Sequence, residues 1–221
     1  MFELSETLKV KIEFVYDSKI FIIDNFYKDP DAIVNFLSTQ RSDLWKMEEE
    51  YQPSHNGIYF EDRKHQIQSE EIHQAYFFLQ SLCQQKIHCL NDIDTNVTRF
   101  KKDPFNDYMN CYWSPHRDAG YTAVIYLNKN DNQSGTNLYK SLDPKNEPVD
   151  EYSEHYFPWR PKSKYKLLKT LEPKYNRMVM FDGGRFLHGA NICNEDYFDQ
   201  TYRLIKFTFL SMSLDKTLKM L

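Results

Sequence analysis

The sequence predicts a mainly β fold with flanking helices, its strands gathered in the C-terminal part and a helical buttress supplied by the N-terminal part. Before about residue 92, apolar residues recur at helical spacing in two stretches; beyond it, short runs rich in Val, Ile, Tyr and Phe alternate with turn residues. Aromatics make up 16% of the chain, with sixteen Tyr and sixteen Phe, a composition that suits pleated, half-buried surfaces. No internal repeat and no Gly/Ser/Pro hinge divides the 221 residues, so they read as a single domain: strands and supporting helices over about 1–92, the β core over about 93–213.

Taken in order, Val10–Val15 and Ile20–Ile23 form a hairpin around Asp17-Ser18. Asp29 then caps a helix that Pro30 starts, with Ile33, Phe36 and Leu37 on one side. Residues 39–64 are mostly polar, carry Pro53 and Gly57, and read as loop. Ser69 caps a second helix whose Ile72, Ala75, Tyr76, Leu79, Leu82 and Cys83 keep helical spacing and pack on a sheet. Strands are expected at Val97–Phe100, Tyr108–Trp113 and Tyr121–Leu127, then a turn-like NKNDNQSG and a short strand ending at Tyr139. The segment 140–164 is polar and long enough for a functional lid or a disordered insertion. Strands return at Tyr165–Leu171 and Arg177–Phe181, a turn follows at Asp182-Gly183-Gly184, and Tyr202–Leu210 places Arg203, Ile205, Phe207 and Phe209 on one face.

Net charge is −4 with both signs interspersed, which gives no basic patch for nucleic acid and no polybasic membrane anchor. No apolar run approaches the ~20 residues of a membrane span, and MFELSETLKV lacks a signal-peptide core. Cys83, Cys89, Cys111 and Cys193 follow no framework spacing and read as reduced, packing thiols of a cytoplasmic protein.

The chemistry-bearing stretch is His116-Arg117-Asp118. On an extended chain, residues two apart point to the same side, so His116 and Asp118 supply two-thirds of a 2-His-1-carboxylate facial triad. The triplet alone reads equally as a polar pair on a surface turn. His188, after an apolar strand and before Gly189, is the candidate third ligand or else a satisfied buried histidine. Arg203 is a counter-charge for an anion or an edge-strand cation. His55, His65, His73 and His88 have no partner at ligand spacing and read as ordinary surface or core histidines.

In order along the chain, these elements resemble the 2-oxoglutarate- and Fe(II)-dependent oxygenases, prolyl 4-hydroxylase-like branch, and within it a group known from bacteria and phages. HRD at 116–118 matches the family's HxD, IYLNKN its tyrosine-bearing strand, and SGTNLY its GG-T-x-F/L strand with Ser134 in place of one glycine. NRMVMFDGGRFLHG is similar to the strand-turn-histidine element, YRLIKFTF to the arginine-bearing last strand, and FIIDNFYKDPDAIVNFL to a common lead-in. The resemblance implies a double-stranded β-helix, a jelly-roll, cupin-like barrel, with Fe(II) held by His116, Asp118 and His188. It implies 2-oxoglutarate as co-substrate, anchored by Arg203 and Tyr126 with Asn110 and Tyr112 as further pocket residues, O2 as oxidant, and ascorbate as an optional reductant. The activity implied is hydroxylation of a peptide side chain or small molecule coupled to decarboxylation of 2-oxoglutarate to succinate; an intact Asp118 separates it from the related halogenases. Two departures stand out: Asn194–Gln200 lengthens the gap between His188 and Arg203, and 140–164 has no family counterpart. A non-catalytic barrel of the same fold and a zinc hydrolase on the same ligands are the alternatives; oligomeric state is open.

Overall fold

The computed structural model describes residues 2–39, 46–47, 63–64, 70–83, 93–98, 107–118, 120–129, 135–143, 159–193 and 205–210. A hairpin of β1 (Lys9–Val15) and β2 (Ser18–Asp24) leads to helix α1 (Pro30–Thr39). Two short paired strands, β3 (Lys46–Met47) and β4 (Arg63–Lys64), precede helix α2 (Glu70–Cys83). The remaining strands are β5 (Ile93–Thr98), β6 (Cys111–Trp113), β7 (Tyr121–Tyr126), β8 (Thr136–Ser141), β9 (Trp159–Pro161), β10 (Tyr165–Leu171), β11 (Arg177–Asp182), β12 (Leu187–Ala190) and β13 (Ile205–Leu210).

All pairings are antiparallel. The larger sheet runs β1-β2-β11-β7-β13-β5, and a smaller one runs β10-β8-β12. Side chains alternate across the larger sheet with the period of two that a pleated strand dictates. Phe21, Ile23, Ala123, Ile125, Met178 and Met180 are buried on one face, clustered with Ile33 of α1 and with Ala75 and Leu79 of α2. Ile20, Val124, Tyr126, Val179 and Phe181 point the other way, onto Leu138 of β8 and Leu171 of β10. The described residues therefore form an antiparallel β-sandwich with helices against one outer face, and its strands β7 and β11 are nearly unbroken apolar runs because both of their faces are covered.

The expected hairpin and capped first helix are present, the cap made by Asp29 Oδ1 accepting from Ala32 N at 2.9 Å. Ser69 lies outside the described residues, as do the side chains of Leu37, Ile72, Tyr76 and Cys83. Three expectations need correction. The strand placed at Val97–Phe100 starts earlier, at Ile93, and pairs with β13 over Ile93–Thr98, while Arg99 and Phe100 lie outside the described residues. The strand from Tyr108 shrinks to Cys111–Trp113, because Asp107 accepts the amides of Asn110 and Cys111 in a turn. The 140–164 segment is not all loop: β9 pairs with β6, the Trp113 and Trp159 rings meeting edge to face at 5.1 Å, and a single 3-10 turn follows at Lys162–Lys164. Residues 144–158, including Tyr152, His155, Tyr156 and Phe157, lie outside the described residues. Of the cysteines read as packing thiols, Cys111 is half-buried and Cys193 is exposed.

One polar side chain ties the N-terminal segment to the sandwich. Asn176 sits at φ 61°, donates from Nδ2 to Tyr27 O at 2.8 Å and accepts from Tyr27 N at 2.9 Å. Its main chain adds bonds to Phe26 and Tyr126. Beside it the Arg177 guanidinium grips Asp24 through Nε at 2.6 Å and Nη2 at 3.2 Å, which holds the Asp24 carboxyl below its usual range. Asn176→Ala removes its hydrogen bonds to the buried Tyr27 amide and carbonyl and puts a Cβ residue without a local hydrogen bond at positive φ, a loss of about 2–4 kcal/mol. Denaturant unfolding should show it; Asn176→Gly should recover the backbone part of the loss and not the hydrogen-bonded part.

Candidate metal centre

The site is built on a backbone bridge. His116 N donates to His188 O at 3.0 Å and His188 N to His116 O at 2.8 Å, an isolated antiparallel pair at the free edge of β12. Close approach there requires Gly189, since a Cβ at that position would collide with the main-chain oxygen of Trp113. A second pair of main-chain bonds, Asp118 N to Gly183 O at 3.1 Å and Gly184 N to Gly120 O at 3.0 Å, fastens the Asp118 loop to the turn after β11. The Arg117 guanidinium reinforces it, with Nη1 donating to the carbonyls of Gly184 and Arg185.

Each imidazole is oriented in the same way. His116 Nδ1 lies 2.7 Å from Ser114 O, and His188 Nδ1 lies 3.2 Å from Phe186 O, both carbonyls two residues upstream. A ring nitrogen facing a carbonyl oxygen carries the proton, so in its neutral form, the one that binds metal, each ring has its lone pair on Nε2. Both Nε2 atoms turn to Asp118: His188 Nε2 is 2.9 Å from Oδ2 and His116 Nε2 is 3.8 Å from Oδ1. All three ligand atoms lie within 4.8 Å of one another. Ligands at right angles on an ion with bonds of about 2.1 Å stand about 3 Å apart, a spacing these atoms reach with small adjustments. Among the described residues this is the one such cluster of three or more.

Burial is graded across the three. The side chain of His188 is 3% exposed, Asp118 13% and His116 30%, so the cluster opens to solvent on the His116 side. The Phe181 ring meets His188 edge-on at 4.9 Å. Thr122 Oγ1 donates to Asp118 Oδ2 at 2.5 Å. Burial acts to raise the Asp118 carboxyl, but when the two rings are protonated the charge and hydrogen bond of His188, the charge of His116 and the Thr122 hydroxyl outweigh it and hold the carboxyl well below the usual range.

Of the other residues singled out from sequence, Tyr126 is buried between the sheets, its hydroxyl 2.8 Å from Thr136 Oγ1 and 3.4 Å from Leu171 O. By strand alternation it shares its face of β7 with Thr122. Tyr112 packs on the Tyr139 ring at 4.5 Å beneath Lys162 Nζ. Asn110 is exposed and bonds through Nδ2 to Asp107 at 3.2 Å. Arg203 lies outside the described residues, as do the positions of His55, His65 and His88 and the side chain of His73. Sequence reasoning missed Thr122 and Gly183. The alternation of YTAVIY puts Thr122 in phase with Tyr126 and was the available signal for the first; for Gly183, the glycine doublet signalled only a turn.

Among solved structures, the chain is similar to a prolyl 4-hydroxylase of Phytophthora capsici, with a TM-score of 0.45 and 14% identity over 86% of this chain and 57% of that one. It therefore spans little more than half of that protein's length. No curated protein matches its sequence. The model of one family, described as being of unknown function, matches residues 6–209.

The glycine doublet gives a sharp test. A Cβ at Gly183 would overlap Thr122 Oγ1 and press on the Asp118 Cβ, whereas one at Gly184 meets nothing nearer than 3.4 Å. Gly183→Ala should weaken Co(II) binding, followed by absorption titration, by about 10–100-fold, and Gly184→Ala should leave it near wild type. Equal losses in the two variants would remove the Thr122–Asp118 contact from the account.

Proposed function

This chain belongs to DUF6445, a family of unknown function, and we propose from its own site that it is a 2-oxoglutarate- and Fe(II)-dependent dioxygenase. The observation that carries the reading is the pair of imidazoles whose Nδ1 atoms face main-chain carbonyls while both Nε2 atoms converge on one carboxylate. Holding Nδ1 on a carbonyl so that Nε2 is turned to the other ligands is how proteins pre-set histidine ligands. The HxD…H order and the tyrosine and arginine strands of the sequence add the co-substrate to the reading.

His116, Asp118 and His188 would occupy one face of the ion and leave the opposite positions for co-substrate and O2. When bound, Fe(II) couples oxidative decarboxylation of 2-oxoglutarate to succinate and CO2 with transfer of the second oxygen atom to a C–H bond of the substrate. Arg203 would pair with the distal carboxylate of 2-oxoglutarate, which a guanidinium fork suits in a way an ammonium does not. Tyr126 would lend its hydroxyl from the inter-sheet space. The apolar shell of Val124, Leu138, Val179 and Phe181 keeps that space dry. The sandwich on this reading is a double-stranded β-helix, β8, β10 and β12 forming its minor sheet together with the His116 bridge. The substrate would be a peptide side chain or small molecule entering past His116, met by the 140–164 segment, which β9 fastens to β6. Zinc hydrolysis has less support, because no further base joins the cluster among the described residues.

Anaerobic titration with Fe(II) and 2-oxoglutarate should give a metal-to-ligand charge-transfer band that Asp118→Ala abolishes. Arg203→Lys should weaken 2-oxoglutarate by about tenfold or more, about 1.4 kcal/mol. Absence of a band, or a band indifferent to Arg203, would favour a non-catalytic barrel.

A further inference from the structure

Strand β1 is a terminal strand of the larger sheet. It is seven residues long, pairs in unbroken register with β2, and contains neither proline nor bulge. Its Val10, Ile12 and Phe14 are 40%, 46% and 59% exposed. A regular, apolar edge that no described strand or helix covers is what native sheets ordinarily avoid.

The backbone groups of the same three residues are also unpaired within the sheet. The hairpin closes with Val15 opposite Ser18 across a two-residue turn, and the closing pair of such a hairpin is a hydrogen-bonded one. Bonded pairs alternate along the ladder, so Lys9, Lys11, Glu13 and Val15 turn their N–H and C=O groups toward β2. Those of Val10, Ile12 and Phe14 face outward.

We propose that this edge pairs antiparallel with β1 of a second copy of the chain, about a two-fold axis through Ile12. KVKIEFV is self-complementary in that register alone. Ile12 faces Ile12 and Val10 faces Phe14, each pair exchanging both of its N–H···O=C bonds, while Lys11 faces Glu13 twice by symmetry. Centring on Lys11 or Glu13 would set like charges opposite each other, and a parallel arrangement would stack Lys9 and Lys11 on themselves. The two lysines thus disfavour other strands, and Glu13 admits this one. Within its own chain Glu13 already contacts Lys11 and Lys169, each at 2.6 Å; the partner's Lys11 would add a third cation from across the axis. Two strands with three apolar side chains apiece cover less than the roughly 1,200–2,000 Å² of a stable interface, so the dimer depends on concentration.

Sedimentation of the full chain across a concentration series should show a monomer–dimer equilibrium that Ile12→Lys shifts to monomer without lowering the melting temperature. A cysteine on the axis faces itself at a separation a disulfide can span. Ile12→Cys should therefore oxidise to a covalent dimer, and Val10→Cys, which faces Phe14, should not; this readout holds even where the lysine variant folds poorly. A wild-type chain that stays monomeric, a dimer that survives Ile12→Lys, or cross-linking as fast at Val10 as at Ile12 would overturn the proposal.

Discussion

The site rests on two hydrogen bonds between His116 and His188, residues far apart in sequence that exchange main-chain groups across the free edge of β12. That bridge fixes the separation and relative tilt of the imidazoles, whose centroids stand 4.5 Å apart. Everything else trims the same geometry. Gly189 lets the chains approach, the Ser114 and Phe186 carbonyls choose the tautomers, and the turn at Gly183 leaves room for Thr122 to hold the carboxylate. Disturbing the bridge would move both rings together, whereas losing one carbonyl contact would free only one.

The bridge can be rigid because of where it sits. β11 and β7 are buried on both faces, one face against the helices and the other against β8 and β10. The turn leaving β11 and the loop entering β7 therefore spring from strands with little freedom to shift, since close packing resists small displacements. Asn176 and Arg177 tie β11 to the N-terminal segment and to β2, extending the same rigidity.

Much of this was legible in the sequence. Strands covered on both faces appear as nearly unbroken apolar runs, so YTAVIY and RMVMFD were readable without knowing their partners. The HxD spacing and the His188-Gly189 pair were legible because candidate metal ligands come from few residue types. What was not legible depends on contacts made through the fold. β9 carries Trp, Arg and Pro, no strand signature, and becomes a strand only because β6 offers it an edge. The strand start expected at Tyr108 fails because Asp107 competes for the backbone. Thr122 looked like any β-branched strand residue; its role exists only because Asp118 is brought above it.

The central claim is that two neutral imidazoles, pre-set by main-chain carbonyls, bind metal through Nε2. Nitrogen-15 NMR of the histidine rings tests it most directly, in protein with and without one equivalent of Zn(II), a diamagnetic probe that accepts the same ligands. Two of the seven histidines should show Nδ1 protonated in both states and a large Nε2 shift on adding metal, and both signals should be lost as a pair from the set when His116 and His188 are replaced. Metal-induced shifts at Nδ1, or shifts in neither ring, would contradict it.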